Sequence, residues 1–430
     1  METQVIICLA IFVLSLISYG LNKWNMAVTA MVTMTVLIVT GCLNPATALS
    51  KFSDSNAIIL AAMFIVAHGF GRTQLVDKVA GWVNRAAKGS FDRALTLMLL
   101  AVWVLTPFTG SPMTKMVIFY PILTAICEKN NVSPSKAMFP LGLVCLLGGT
   151  GIPIGNAAVT HLRFNGFLES YGMPEYSFVM TDILKSKILP AIVITIYAVF
   201  FAKKLAPDAP VVPIAGMEQK GKKKEPLPPV QEVCGYVIFL AVSIGLIFAD
   251  KLGIPQWVIT VLGAVMMYAT GVLKGREVKQ ALPLDIYLLL VGALGMGSAL
   301  VETGAGDVIG NAIVTIIGGN TNPFFVNAIF FLVPFIMTQF MNNGATQNII
   351  VPIVILACKS LGCRPLGPIM LVANACMAAF LTPMATSSIP IMMAAGGYDI
   401  KSLFKQGWLP AIIYGVLQII WVTLMFPLWS

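Results

Sequence analysis

Charge is what this sequence has least of. Only 10% of its 430 residues are Asp, Glu, Lys or Arg, against 58% hydrophobic, and a water-soluble globule of that composition could not cover itself with polar groups. Carboxylates are scarcest where they would matter most. Every Asp and Glu, including Asp54, Glu128, Glu169, Asp182, Asp285 and Asp399, falls in a loop or near an expected helix end. A Na⁺/H⁺ antiporter generally needs a titratable group at mid-membrane, so their absence there argues against one. The two histidines, His68 and His161, read as interfacial fixtures, although His161 could relay a proton if H⁺ were a coupling ion. The eight cysteines show no metal-ligand spacing and no dense framework, and read as small core residues. No nucleophile stands with a base and an orienting group, and no glycine loop lies between strand and helix, so no enzyme and no cofactor are expected. The glycines between 292 and 297 lie in an apolar helix and read as packing positions. The first apolar run, from Val5, lacks a basic leader and a small-residue cleavage site, which predicts a retained helix rather than a signal peptide.

What is present is apolar length. Runs able to cross about 30 Å of hydrocarbon recur along the chain, which predicts an all-α polytopic protein of the cell inner (plasma) membrane with the lipid bilayer as its first partner. Continuous spans are expected at 4–20, 26–42, 56–71, 187–202, 233–249, 256–273, 286–301 and 408–427. Two long stretches, 136–168 and 366–396, are interrupted by GGTGIPIGN and LTPMATSSIP and read as broken helices. Two more, 93–127 and 323–358, break at TPFTGSPM and FMNNGA into halves too short to span, so they read as re-entrant helical hairpins. The Pro- and Lys-rich segment 203–232 reads as a cytoplasmic connector. The net charge of +9 comes from basic residues in short loops, where a positive-inside bias explains it without nucleic acid.

The chain also repeats itself. At an offset of 230 or 231, Asp54 falls on Asp285, Thr73 on Thr303, Asp77 on Asp307, Pro121 on Pro352, Pro134 on Pro365 and Pro153 on Pro383, and LPAI recurs at 189 and 409. Residues 1–202 thus read as one repeat and 233–430 as a second. Segment 72–93 carries Arg72, Lys78, Arg85, Lys88 and Arg93, whereas its partner 302–323 carries Glu302 and Asp307 and no Lys or Arg. That asymmetry predicts inverted repeats, with ten crossings, two re-entrant hairpins and both termini outside. Helices that stop at mid-membrane leave free backbone groups, which survive only around a polar cavity; a helix N-terminus there suits an anion, and unwound carbonyls suit Na⁺.

This order of amphipathic segment, hairpin and broken helix, twice over, resembles the divalent anion/sodium symporter family of dicarboxylate, citrate and sulfate cotransporters. The likeness covers nearly the whole chain apart from an extra N-terminal helix. The family carries Ser-Asn-Thr at each hairpin tip, ten residues before a proline; here Ser111-Pro112-Met113 and Asn342-Asn343-Gly344 stand there, keeping Ser111 and Asn343. GIPIGN, ending in Asn156, is similar to its Gly-Thr-Pro-Pro-Asn, and PMATSS, with Ala385 and Thr386, to its Pro-Val-Ala-Thr-Pro-Pro. The resemblance implies a small anionic substrate bound by Ser111, Asn156, Asn342, Asn343 and Thr386, and Lys115 is added to that set on its own position. It implies a coupling Na⁺ (or H⁺) at Ser111, Gly151, Thr338, Asn343 and Ala385, and a homodimer in which hairpins and broken helices move as an elevator. Arsenite or oxyanion permeases and Na⁺/H⁺ antiporters share the superfamily, and an anion channel would need a continuous polar pore.

Lys115 departs from the family, whose members commonly carry a small or hydroxyl residue there. It lies one turn into the second hairpin arm, where a charge is costly and generally faces a cavity. Its ammonium either pairs with a substrate carboxylate or stands in for Na⁺, and a lysine reaching for the nearer interface is the plain alternative.

Overall fold

The structure is a computed structural model. It describes the chain except for residues 1, 22–23, 107–111, 150, 152–159, 172, 180, 215–226, 283, 306–314, 316, 319, 385 and 430. The described residues contain helices and no strand.

Apolar residues at helical spacing face outward. On α2 (Met26–Val39) Val28, Val32, Val36 and Val39 are exposed while Ala30, Met34 and Leu37 are buried. The longest helix, α20 (Ile400–Met425), does the same. Phe404, Trp408, Ile412, Val416, Ile420 and Leu424 line one side, and Gln406, Tyr414 and Gln418 are buried on the other. Such inside-out stripes would be unstable in water and are natural against lipid. Among the described residues, four helices are long and apolar enough to cross a membrane, within Pro45–Phe70, Asp182–Phe200, Pro229–Leu246 and Ile400–Met425, and several shorter apolar helices accompany them.

The first half runs α1 (Glu2–Leu21), α2, α3 (Pro45–Ser50), α4 (Ser55–Phe70), α5 (Gln74–Ala86), α6 (Phe91–Leu105), α7 (Pro112–Lys129), α8 (Met138–Leu147), α9 (Thr160–Ser170), α10 (Asp182–Phe200) and the short α11 (Ala202–Leu205). The second runs α12 (Pro229–Leu252), α13 (Gln256–Ala269), α14 (Gly275–Ala281), α15 (Leu284–Glu302), α16 (Pro323–Thr338), α17 (Asn343–Leu361), α18 (Leu366–Met377), α19 (Ser388–Gly396) and α20. Helix α12 starts inside the expected connector because Pro229 suits a first helical position, where no backbone donor is needed.

Packing follows the same equivalences as the sequence offset. Helix α2 packs along α15 and, at the matching places, α13 along α4. Asn25 bonds Asp285 at 2.9 Å at one end of the first pair and Glu302 accepts the Asn44 N–H at 2.7 Å at the other. Between them Gly292 lies against the Ala30 backbone, where a Cβ would meet a backbone carbon at 2.7 Å, so only glycine fits. Gly295 lies against Met34, and Gly297 faces the backbone of 340–342.

Helices α8 and α19, by contrast, are buried on every described side. Ser135 donates to the Gly396 carbonyl at 2.7 Å and Met392 packs on Gly142, so the two lie antiparallel. The described part of the connector is tied down here rather than free. Val211 and Val212 donate to the Gly397 carbonyl at 2.8 and 3.1 Å, and Asp208 meets Lys136 at 2.6 Å. The Lys136 hydrogen bond holds the Asp208 carboxyl below its ordinary range.

Candidate functional site

Helices α6 and α7 flank the first expected tip, whose residues 107–111 lie outside the described ones, and α16 and α17 flank the second; α8 ends at Leu147 and α18 at Met377, ahead of α9 and α19. Each interruption strands backbone groups that need partners.

At the second break the partners are side chains of the second hairpin. Thr338, at the end of α16 and fully buried, donates to Asn343 Oδ1 at 2.9 Å and approaches the Cys376 carbonyl at 3.2 Å. Next to it, Gln339 does more. Its Nε2 donates to the carbonyls of Phe335 and Ala378, both at 3.0 Å, and its Oε1 accepts the Leu381 N–H at 3.0 Å. Thr382 donates to the Gln339 carbonyl. The end of α18 is therefore stitched to the hairpin, and its unwound carbonyls are satisfied without lipid or bulk water. Asn342 caps α17, its Oδ1 accepting the Gly344 N–H at 2.8 Å, and is exposed at the tip. Thr386 lies 3.3 Å from Ser388 at the start of α19.

At the first break stands Lys115, which is 1% exposed. Its Nζ reaches Thr106 Oγ1 only at 3.5 Å. Thr106 in turn lies 3.5 Å from the Gly148 carbonyl, just past the end of α8. Among the described residues this buried ammonium has that one long contact, and a buried ammonium is costly unless something polar or anionic meets its remaining protons. Gly151 is buried with φ +99°, and a Cβ there would lie 3.1 Å from the Ile183 carbonyl of α10. Only glycine turns the chain that tightly against α10.

The two breaks are neighbours. The antiparallel register of α8 and α19 brings the start of α19 level with the end of α8, near Gly148. Thr382 of the second cluster is four residues before Thr386, a reach of at most about 14 Å. Lys115 and Thr106 border the first break, and Thr338, Asn343 and Gln339 border the second. Ser111, Asn156 and Ala385 lie outside the described residues. Sequence reasoning passed over Gln339, Thr106 and Thr382; Thr106 was findable as the hydroxyl that opens the TPFTGSPM interruption. His161 sits in the first turn of α9 with its Nδ1 buried and no hydrogen-bond partner among the described residues. Among those residues no group of His, Cys, Asp and Glu could hold a metal ion.

A family profile described as "Citrate transporter" matches residues 9–346 and 238–430. An uncharacterized transporter of Haemophilus influenzae is 21% identical over 410 residues, covering 90% of this chain and 84% of that protein. A sodium-dependent dicarboxylate transporter of Staphylococcus saprophyticus is 22% identical over 456 residues, covering 97% and 86%. A probable sodium/sulfate cotransporter of Chlamydomonas reinhardtii is 26% identical over 191 residues, 42% of this chain and 21% of that protein. Matches to two further relatives likewise span about a quarter of their length.

Proposed function

The chain belongs to the citrate transporter family, and from that premise we propose that it moves a small di- or tricarboxylate across the plasma membrane by secondary active transport. It is a transporter and not an enzyme. The observation that carries the substrate reading is Lys115, a buried ammonium beside the interrupted end of α8 with no carboxylate in contact among the described residues. The N-terminus of α19, level with that end, adds free N–H donors and partial positive charge. The sodium-dependent dicarboxylate transporter that aligns over nearly the whole chain supports the same class, and the sulfate relative adds a compact dianion.

The coupling cation is Na⁺ or H⁺. For Na⁺, Asn343 Oδ1 and the Cys376 carbonyl both lie within hydrogen-bond distance of Thr338 Oγ1, a set of three hard oxygens of the kind unwound transporter helices offer. The Nδ1 of His161, without a hydrogen-bond partner among the described residues, is the group to examine for H⁺.

The motion is an elevator. Helices α6 to α9 and α16 to α19 carry the site within a homodimeric scaffold of α1 to α5 and α12 to α15, built as ten crossings in two inverted repeats. The inverted arrangement is supported by Arg72, paired with Glu277 of α14 at 2.6 Å. Glu302 lies at the far end of the 19-residue α15 that follows, about 28 Å along its axis. Uptake of labelled succinate, citrate and sulfate into proteoliposomes, with Na⁺ and pH gradients imposed separately, tests this. Accumulation of a carboxylate under one gradient is expected. Uptake of none of the three, or single-channel currents at ion-flux rates, would overturn it.

A further inference from the structure

Helices α4 and α13 enclose a hollow. Ile58 and Ile65 of α4 with Val261, Val265 and Tyr268 of α13 line an open apolar groove of about 530 Å³. Its floor is kept low by Ala61, Ala62 and Ala264, where longer side chains would fill the space. The groove runs along 58–65 and 261–268, about 10 Å or a third of the hydrocarbon core. At the Tyr268 end stands α14. Val278 and Leu282 line the groove there, and Lys274, one turn before Val278, lies on that same side of the helix. Tyr268 reaches this end too, since a Cβ on Gly275 would lie 3.8 Å from its hydroxyl. Lys279 comes one turn after Gly275, and both lysines are exposed. The acid of α14, Glu277, is engaged by Arg72 at 2.6 Å and by the Lys274 N–H at 2.8 Å. A dry slot therefore ends beneath positive charge.

We propose that this groove is a binding site for one anionic phospholipid of the surrounding bilayer, with an acyl chain between α4 and α13 and the phosphate against Lys274, Lys279 and the Tyr268 hydroxyl. The slot alone would not choose among lipids, because their tails are as apolar as its walls. Charge makes the choice, since each Lys near the bilayer surface favours an anionic headgroup by about fivefold. A tyrosine suits that depth, with its ring in hydrocarbon and its hydroxyl among the headgroups. A second copy of the chain fits less well. A twofold axis along the membrane normal would set hollow against hollow and bring both lysine pairs to one level, where they repel. The site concerns the bilayer and does not depend on which solute is carried.

Native mass spectrometry of the full-length protein in detergent, titrated with phosphatidylglycerol or with phosphatidylcholine of the same chains, tests this. Wild type should retain phosphatidylglycerol with a preference of about twentyfold, the product of two lysines. Lys274→Gln combined with Lys279→Gln should bring that preference to about one. Ala61→Phe, which fills the slot and keeps the lysines, should lower retention of both lipids. No preference in wild type, or an unchanged preference in the double variant, overturns the proposal. Photo-crosslinking of wild type with phosphatidylglycerol that carries a diazirine in one acyl chain covers the case in which the variants do not fold. Adducts are expected on 58–65 and 261–268; adducts spread evenly over the outward stripes of α2 and α20 sink the proposal. Protomers bearing Ala61→Cys that a thiol cross-linker joins in high yield would place a second copy in the groove and overturn it as well.

Discussion

Counting 231 residues on from Lys115 gives Thr346. A hydroxyl ends each hairpin's first arm, Thr106 in one half and Thr338 in the other. The rest of the chemistry differs. Around the second break the polar groups are neutral amides and hydroxyls that satisfy one another and the backbone: Thr338 with Asn343, Gln339 with three backbone groups, and Thr346 donating to the Asn342 carbonyl at 3.2 Å. At the first break stands the Lys115 ammonium, whose contact among the described residues is Thr106 at 3.5 Å. A frame with repeated elements thus carries unlike ends, one satisfied within the protein and one waiting for negative charge. A solute bound between them would be oriented, a carboxylate toward α7.

The largest effect should come from removing that contrast. Lys115→Ala is expected to cut carboxylate uptake about a hundredfold, from a loss of about 3 kcal/mol for one partner of a buried charge pair, measured as initial rates in proteoliposomes. If uptake and its Na⁺ dependence stayed the same, Lys115 would have no place in the site. On the other side, Gln339→Ala leaves the Ala378 carbonyl and Leu381 N–H without their partner. It should destabilise the protein by about 2 kcal/mol, read as a lower midpoint of thermal unfolding in detergent, with transport lost as a consequence. Thr338→Val keeps shape and removes the hydroxyl; with Na⁺ as the coupling ion, the Na⁺ concentration for half-maximal uptake should rise about tenfold, the worth of roughly one oxygen ligand, and the apparent affinity for succinate should move less. The smallest change is Thr346→Ala. It deletes one hydrogen bond worth about 1 kcal/mol and should lower uptake only a few-fold, so the ratio of the Lys115→Ala and Thr346→Ala effects measures the asymmetry directly.

The interruptions were legible because Gly, Pro and Asn punctuate otherwise apolar runs. TPFTGSPM and FMNNGA mark where α6 gives way to α7 and α16 to α17, and the expected hairpin 93–127 differs from the observed helices by two residues at each end. Lys115 was legible as a cation with no reason to be apolar. Gln339 was not, since its role depends on carbonyls some forty residues away that its neighbours in sequence do not announce. The glycines of α15 read correctly as packing positions because each recurs where a neighbouring backbone or side chain comes close.

The central claim is that an anion is held where the interrupted helices meet, between the Lys115 ammonium and the start of α19. The most direct measurement is an electron cryomicroscopy map of the protein saturated with citrate. It should show ligand density within hydrogen-bond distance of Lys115 Nζ, bordered by Thr106, Thr386 and the 338–343 tip. Citrate density elsewhere, with Lys115 still turned only to Thr106, would contradict the account.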